Sequence, residues 1–147
     1  MIAAYLMAGS AAVPLALGLL HLLYTFRGPK FHPRDRELLQ RMSEVSPVIS
    51  RETTMWKAWV GFNASHSYGA ILFGLVYGQL ALVQPQVLFG SPFLLAVGLL
   101  FLCGFAFLGK RYWFSVPFRG ILISLALYVG ALVASGFPGS AGVPPAK

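Results

Sequence analysis

Residues 55–83 read MWKAWVGFNASHSYGAILFGLVYGQLALV, a run whose only charged side chain is Lys57. About 20 apolar residues, each rising 1.5 Å in a helix, are enough to cross the hydrocarbon core of a bilayer, and this run is longer. No strong helix breaker interrupts it before Gln84-Pro85. The stretch therefore predicts a transmembrane helix, which we number as the second span.

Three further apolar runs have the same character, and we predict spans over residues 2–26, 91–109 and 117–137. The whole chain of 147 residues is 57% hydrophobic and 10% charged, with a mean hydropathy of +0.72. Soluble domains carry roughly 25% charged residues. The sequence thus predicts an all-α integral membrane protein, a single domain forming a four-transmembrane-helix bundle, with an irregular Pro/Gly-rich tail at 138–147.

A short polar segment separates the first two spans. Leu38, Leu39 and Met42 recur at helical spacing among charged residues after the turn-forming Phe31-His32-Pro33. This pattern predicts a short amphipathic helix on the cytoplasmic surface. A solvated helix that does not contact lipid remains the alternative.

The basic residues set the expected orientation. Of the 11 Lys and Arg, all except Lys147 lie between Arg27 and Lys57 or between Lys110 and Arg119. Short cytoplasmic loops are enriched in Lys and Arg, so both basic loops are predicted to be cytoplasmic and both termini outside. We therefore attribute the net charge of +7 to topology rather than to nucleic-acid binding.

The second span carries the candidate functional residues. At 100° per residue, Asn63, His66 and Ser67 fall on one face, and polar groups in hydrocarbon are costly unless they face protein or water. His21 of the first span has a similar predicted depth. These side chains, with Tyr24, are the candidate ligand-binding residues; the alternative is that they only hydrogen-bond neighbouring helices.

Small residues follow two faces of the same span. Such residues allow close helix approach, so we predict packing faces on both sides. The first face has Ala70, Gly74 and Gly78, and the second has Gly61, Ser65 and Gly69.

Several chemistries are compatible with these residues. Two facing histidines can ligate haem b, bind a metal or hydrogen-bond the head of a lipophilic ligand, and His66 can act as a base in an enzyme with a lipophilic substrate. With one cysteine and no carboxylate in any span, the sequence supports neither a defined metal site nor a cofactor. Coupled ion transport is disfavoured because all four acids lie in the first loop.

Three segments carry a resemblance to a known group of proteins: His21-Leu22-Leu23-Tyr24-Thr25-Phe26, Phe31-His32-Pro33-Arg34-Asp35 and Trp56 to Ser67. In them the chain resembles an uncharacterised family of small bacterial four-span membrane proteins. The resemblance implies a multi-pass protein of the bacterial inner membrane and no particular activity.

The sequence favours binding or assembly over catalysis. The leading hypothesis is a protein of the lipid bilayer that binds a small lipophilic molecule, or assembles into a homo-oligomer or larger membrane complex, through its His/Asn face. A membrane enzyme acting on a lipophilic substrate is the alternative, and haem b binding is a further one.

Overall fold

A computed structural model describes residues 1–136 of the chain, and this range contains six helices. They are α1 (Ile2–Phe26), α2 (Arg36–Glu44), α3 (Met55–Val83), α4 (Pro85–Phe89), α5 (Pro92–Tyr112) and α6 (Ser115–Ala134). Helices α1, α3, α5 and α6 are long and apolar enough to cross a membrane. The predicted all-α, four-span fold is confirmed.

The third span ends later than the predicted residue 109. Ser91 caps the start of α5, where its Oγ accepts the Leu94 N–H at 3.3 Å. The helix then continues to Tyr112, so that Lys110 and Arg111 lie in its last turn. Cations are favoured there by the helix dipole, and their long side chains can reach water from an apolar helix.

The fourth span begins and ends earlier than the predicted 117–137. Pro117 lies in the first turn of α6, where the N–H that proline lacks would have no intrahelical partner. At the other end, Gly136 has a φ of 66°, and its N–H bonds the Val133 carbonyl at 3.1 Å. This left-handed glycine ends the helix at Ala134. The predicted tail 138–147 lies outside the described residues.

Two short helices connect the spans. Asp35 caps α2 by accepting the N–H groups of Glu37 at 2.9 Å and Leu38 at 3.4 Å, and no residue of α2 is buried. Helix α4 was not predicted. It starts with Pro85, which suits a first helical position, and it buries Leu88 completely.

The chain divides into two compact units by its own contacts. The first unit comprises Met1–Leu15 and the chain from Leu72 onward, and the second comprises Ala16–Ile71. Helices α1 and α3 therefore contribute one half to each unit.

Tyrosine hydroxyls and small residues organise the first unit. Tyr77 donates to the Leu94 carbonyl at 2.7 Å, and the fully buried Tyr128 donates to the Leu95 carbonyl at 2.9 Å. Both rings crowd against Gly98, where a Cβ would lie 2.5 Å from the Tyr128 hydroxyl. The core of this unit is Met7, Ala11, Phe73, Tyr77, Ala81, Leu88, Leu95, Leu102, Tyr128 and Ala131.

Two serines join α1 to α6 within the same unit. The Ser10 hydroxyl donates to the Ser124 carbonyl at 2.8 Å, and the Ser124 hydroxyl donates to the Ser10 carbonyl at 2.7 Å. Both side chains are fully buried. Because each hydroxyl satisfies the other residue's backbone, this contact places polar groups inside the unit without leaving one unpaired.

The second unit is a pair of helical halves joined by the α2 segment. Gly18 of α1 packs against α3, where a Cβ on Gly18 would lie 3.0 Å from the Ser67 carbonyl oxygen and 3.1 Å from the Ala70 Cβ. A glycine at this position allows the two backbones to approach closely. All the polar candidate residues lie in this unit.

Candidate ligand-binding site

Helices α1 and α3 bring His21 and Asn63 into direct contact. The Nε2–H of His21 donates to the Oδ1 of Asn63 at 3.0 Å, and the Nδ2 of Asn63 donates to the Trp59 carbonyl at 2.8 Å. Asn63 is buried and His21 is half-buried. The amide thus bridges α1 to the preceding turn of α3, with both its ends engaged.

His66 and Ser67 complete this polar cluster. The ring of His66 stands edge-on to that of His21, with centroids 5.4 Å apart, and lies nearly parallel to the Phe62 ring, with centroids 6.4 Å apart. The fully buried Ser67 donates its hydroxyl to the Asn63 carbonyl at 2.8 Å. We call His21, Asn63, His66 and Ser67 the polar cluster.

Tyr24 has a different place. Its side chain is exposed, and the Lys30 ammonium lies 5.7 Å from the centre of its ring. That distance is within the range of a cation–π interaction. Tyr24 therefore contacts the start of the α1–α2 connection rather than the other predicted ligand-binding residues.

The two predicted packing faces of α3 have different surroundings. On the first face, Ala70 contacts the Gly18 region, and Gly74 meets α1 so closely that a Cβ would lie 2.5 Å from the Leu15 Cβ. At Gly78 the nearest atom would be the Ala11 Cβ at 3.8 Å. This face packs within the chain.

The second face is not closely packed by the described part of the chain. A Cβ built on Gly61 or Gly69 would meet nothing within 4 Å, and Ser65 is exposed with its hydroxyl bonded to the Phe62 carbonyl at 2.9 Å. The predicted close helix packing on this face stays a prediction.

The α1–α2 connection folds onto the polar cluster through Phe31. Its ring lies 4.5 Å from the His21 ring, and its carbonyl accepts the Trp59 indole N–H at 3.2 Å. The next residue, His32, stands edge-on to Trp56 with centroids 4.9 Å apart. Two consecutive loop residues are thus held by one residue of α1 and two of α3.

A cavity of about 390 Å³, open to the surface over much of its boundary, adjoins this contact. We call it the α2 cavity, because Met42 of that helix forms one wall. Its lining residues are Lys30, Phe31, His32, Pro33, Met42 and Trp59. Cavities for small ligands range from roughly 300 to 1,000 Å³, so the volume suits a small molecule or part of a larger one.

None of the six lining residues was predicted as a site residue. Lys30, Phe31, His32 and Met42 lie in the basic loop, where sequence patterns indicate topology and surface helices. The available signal was the aromatic pair Phe31-His32 before a proline, facing the tryptophans at the start of the second span. Only the path of the loop brings them together.

The two histidines do not frame a haem. Axial ligation would place both imidazoles on opposite faces of a porphyrin, with coordinating nitrogens about 4 Å apart, twice a metal–imidazole bond. Here the rings contact each other edge-on, and the Nε2 of His21 bonds Asn63. The arrangement leaves no plane for the macrocycle.

Metal-ligand groupings and known relatives give no further guidance. Among residues 1–136, no three His, Cys, Asp or Glu side chains lie close enough together to hold a metal ion. No protein-family model, no curated protein and no solved structure matches the chain. The candidate function therefore depends on the geometry of the second unit.

Proposed function

We propose that this multi-pass membrane protein is a non-catalytic binding protein of the bacterial inner membrane and that the α2 cavity receives a small lipophilic ligand. The observation that carries the proposal is the double attachment of Phe31, a wall of the cavity. Its ring packs on His21 at 4.5 Å and its carbonyl bonds Trp59 at 3.2 Å. The binding wall is thereby held before a ligand arrives, which reduces the ordering cost of binding.

In this proposal the polar cluster positions the cavity. The Asn63 amide orients His21, and His21 supports the ring of Phe31. The hydrogen-bonding groups of Asn63 and Ser67 are engaged inside the protein. Contact with the ligand then falls to the walls of the cavity, which are largely apolar and suit a lipophilic molecule.

The charge distribution supports a cytoplasmic position for the site. The basic loops, which include the α1–α2 connection, are expected on the cytoplasmic side, and both termini outside. In that orientation the α2 cavity lies at the inner leaflet, where Trp56 and Trp59 suit the headgroup level.

Quenching of tryptophan fluorescence tests the proposal directly. Trp59 lines the cavity, so a protein with Trp56 and Trp113 replaced by Phe reports on it alone. Titration with a neutral brominated alcohol, 12-bromododecanol, is expected to quench this tryptophan saturably. A protein keeping only Trp113 supplies the baseline for simple partitioning into the micelle.

Two matched charge substitutions locate the binding. Met42→Glu places a carboxylate in the cavity wall and is expected to weaken saturable quenching at least tenfold. Leu38→Glu places the same charge on the same helix, at an exposed residue that does not line the cavity. Quenching of Trp59 that is linear and equal to that of Trp113 would refute the proposal.

Assembly is a second candidate function, and the outward face of α3 favours it. A Cβ added to Gly61 or Gly69 would have no neighbour within 4 Å in the described chain, and small residues at this spacing allow close contact with another helix. Replacing both by Leu is expected to reduce self-association or complex formation in mild detergent. An unchanged oligomeric state, seen by size-exclusion chromatography with light scattering, would remove this candidate.

A further inference from the structure

The lining of the α2 cavity combines one cation with apolar walls. Lys30 supplies a full positive charge, and Phe31, Pro33 and Met42 supply ring and chain carbons. The six lining residues include no Asp or Glu. The cavity is therefore complementary to an amphiphile with a negatively charged head.

Asp35, the acidic residue nearest to Lys30 in the sequence, is engaged elsewhere and does not pair with the Lys30 ammonium. The carboxylate of Asp35 caps α2, accepting two backbone N–H groups at 2.9 and 3.4 Å. The Lys30 ammonium instead lies over the Tyr24 ring at 5.7 Å. The N–H donors of a lysine ammonium that lies over a ring can still bond an anion.

Exposed apolar side chains on α2 and in the turn that follows it indicate that the anion comes from lipid. Val48 and Ile49, at the turn that follows α2, are fully exposed, and Leu38 on α2 is about half exposed at 49%. Exposed apolar residues next to basic ones are typical of segments in the headgroup layer. Trp59, in the cavity wall, is also a favoured residue at that level.

We propose that the α2 cavity binds an anionic phospholipid, with the phosphate at Lys30 and the first carbons of the lipid against Phe31, Pro33 and Met42. This inference rests on the proposed function and names its ligand class. The volume of about 390 Å³ accommodates a head and the beginning of its chains rather than a complete lipid. The remaining chain length lies in the bilayer.

Native mass spectrometry of the full chain tests the lipid preference. The protein is titrated in micelles with phosphatidylglycerol or with phosphatidylcholine, and the first bound lipid is quantified. One lysine near a membrane surface contributes roughly 1 kcal/mol, about fivefold in affinity. Wild-type protein is expected to prefer phosphatidylglycerol by about that factor.

Three substitutions assign the preference to one residue. Lys30→Gln is expected to remove it, and Lys30→Arg to retain it. Lys57→Gln removes a charge from the exposed first turn of α3, outside the cavity, and should leave the preference intact. Equal affinity for both lipids, or equal losses in Lys30→Gln and Lys57→Gln, would overturn the inference.

Two further measurements distinguish failure of the lipid assignment from failure of the proposed binding function. Glycerol phosphate, which carries the charge without the chain, should not displace bound phosphatidylglycerol at equal concentration; efficient displacement would overturn the lipid assignment. Saturable quenching of Trp59 by 12-bromododecanol without any lipid preference would refute the lipid and leave the binding function standing. Loss of both signals would refute both.

Discussion

Gly74 provides the sharpest test of how α1 and α3 pack in the first unit. A Cβ at this position would lie 2.5 Å from the Leu15 Cβ and 2.8 Å from the Ala11 carbonyl oxygen. Carbon atoms in contact prefer about 3.5–4.0 Å, so Gly74→Ala requires the two helices to separate by about 1 Å. Gly78→Ala requires no movement, because its nearest neighbour would be at 3.8 Å.

Comparing these two variants isolates the contribution of helix packing to the free energy of unfolding. Both replace glycine by alanine in the same helix, so the gain in helix propensity, up to about 1 kcal/mol, is common to both. Overpacking typically costs about 1–3 kcal/mol. Gly74→Ala is therefore expected to have a free energy of unfolding about 1–3 kcal/mol below that of Gly78→Ala.

Equilibrium unfolding by SDS in mixed micelles, followed by far-UV circular dichroism, measures this difference. The two variants must be compared in the same detergent and at the same protein concentration. If their unfolding free energies agree within about 0.5 kcal/mol, the ordinary range for substitutions without a structural consequence, the close approach at Gly74 is refuted.

Two further predictions concern other parts of the molecule. Tyr128→Phe removes the hydroxyl that bonds the Leu95 carbonyl and should lower the SDS unfolding free energy by about 0.5–1.5 kcal/mol. Tyr112→Phe, at an exposed residue, is its control, and equal effects would contradict the assignment. Val48→Trp, in protein whose native tryptophans are replaced by Phe, should be quenched by headgroup-proximal bromines in nanodiscs. Unquenched, water-like emission would place that turn outside the lipid layer.

The spans were predictable because a bilayer permits few solutions. Backbone groups in hydrocarbon must be bonded within the segment, so a sufficiently long apolar run becomes a helix. The bounds of α1 and α3 accordingly match the predicted 2–26 and 55–83. The ends of α5 and α6 were less predictable, because Lys110, Arg111 and Pro117 are residues that a helix end tolerates and a helix centre does not.

The polar cluster was predictable in part, from the depth of its residues in the membrane and from the energetic cost of exposing polar groups to lipid. The helical rise places His21 and His66 within one or two turns of the same depth in antiparallel spans, and the cost of leaving the Asn63 amide in lipid points it inward. The hydrogen bond between His21 and Asn63 was not predicted. Which small-residue face of α3 packs within the chain was not predictable, because both faces have suitable spacing. The difference arises from α1, whose Ala11, Leu15 and Gly18 meet only the first face.

The contact between the polar cluster and the wall of the cavity could not be predicted from the spacing of residues in the sequence. It gives His21 a structural role in place of the predicted role in ligand binding. A pair of histidines at membrane depth is ordinarily examined as a ligand set. Here, however, the Nε2 of His21 is bonded to Asn63 and its ring packs on Phe31. The buried Asn63 amide is therefore satisfied by His21 and Trp59, and both of these residues also contact Phe31 of the loop. A buried polar group whose hydrogen bonds are all satisfied rigidifies the structure around it. Asn63 is therefore linked through the His21 ring to the loop residue Phe31, so that burial of the amide and the position of the loop depend on the same side chain.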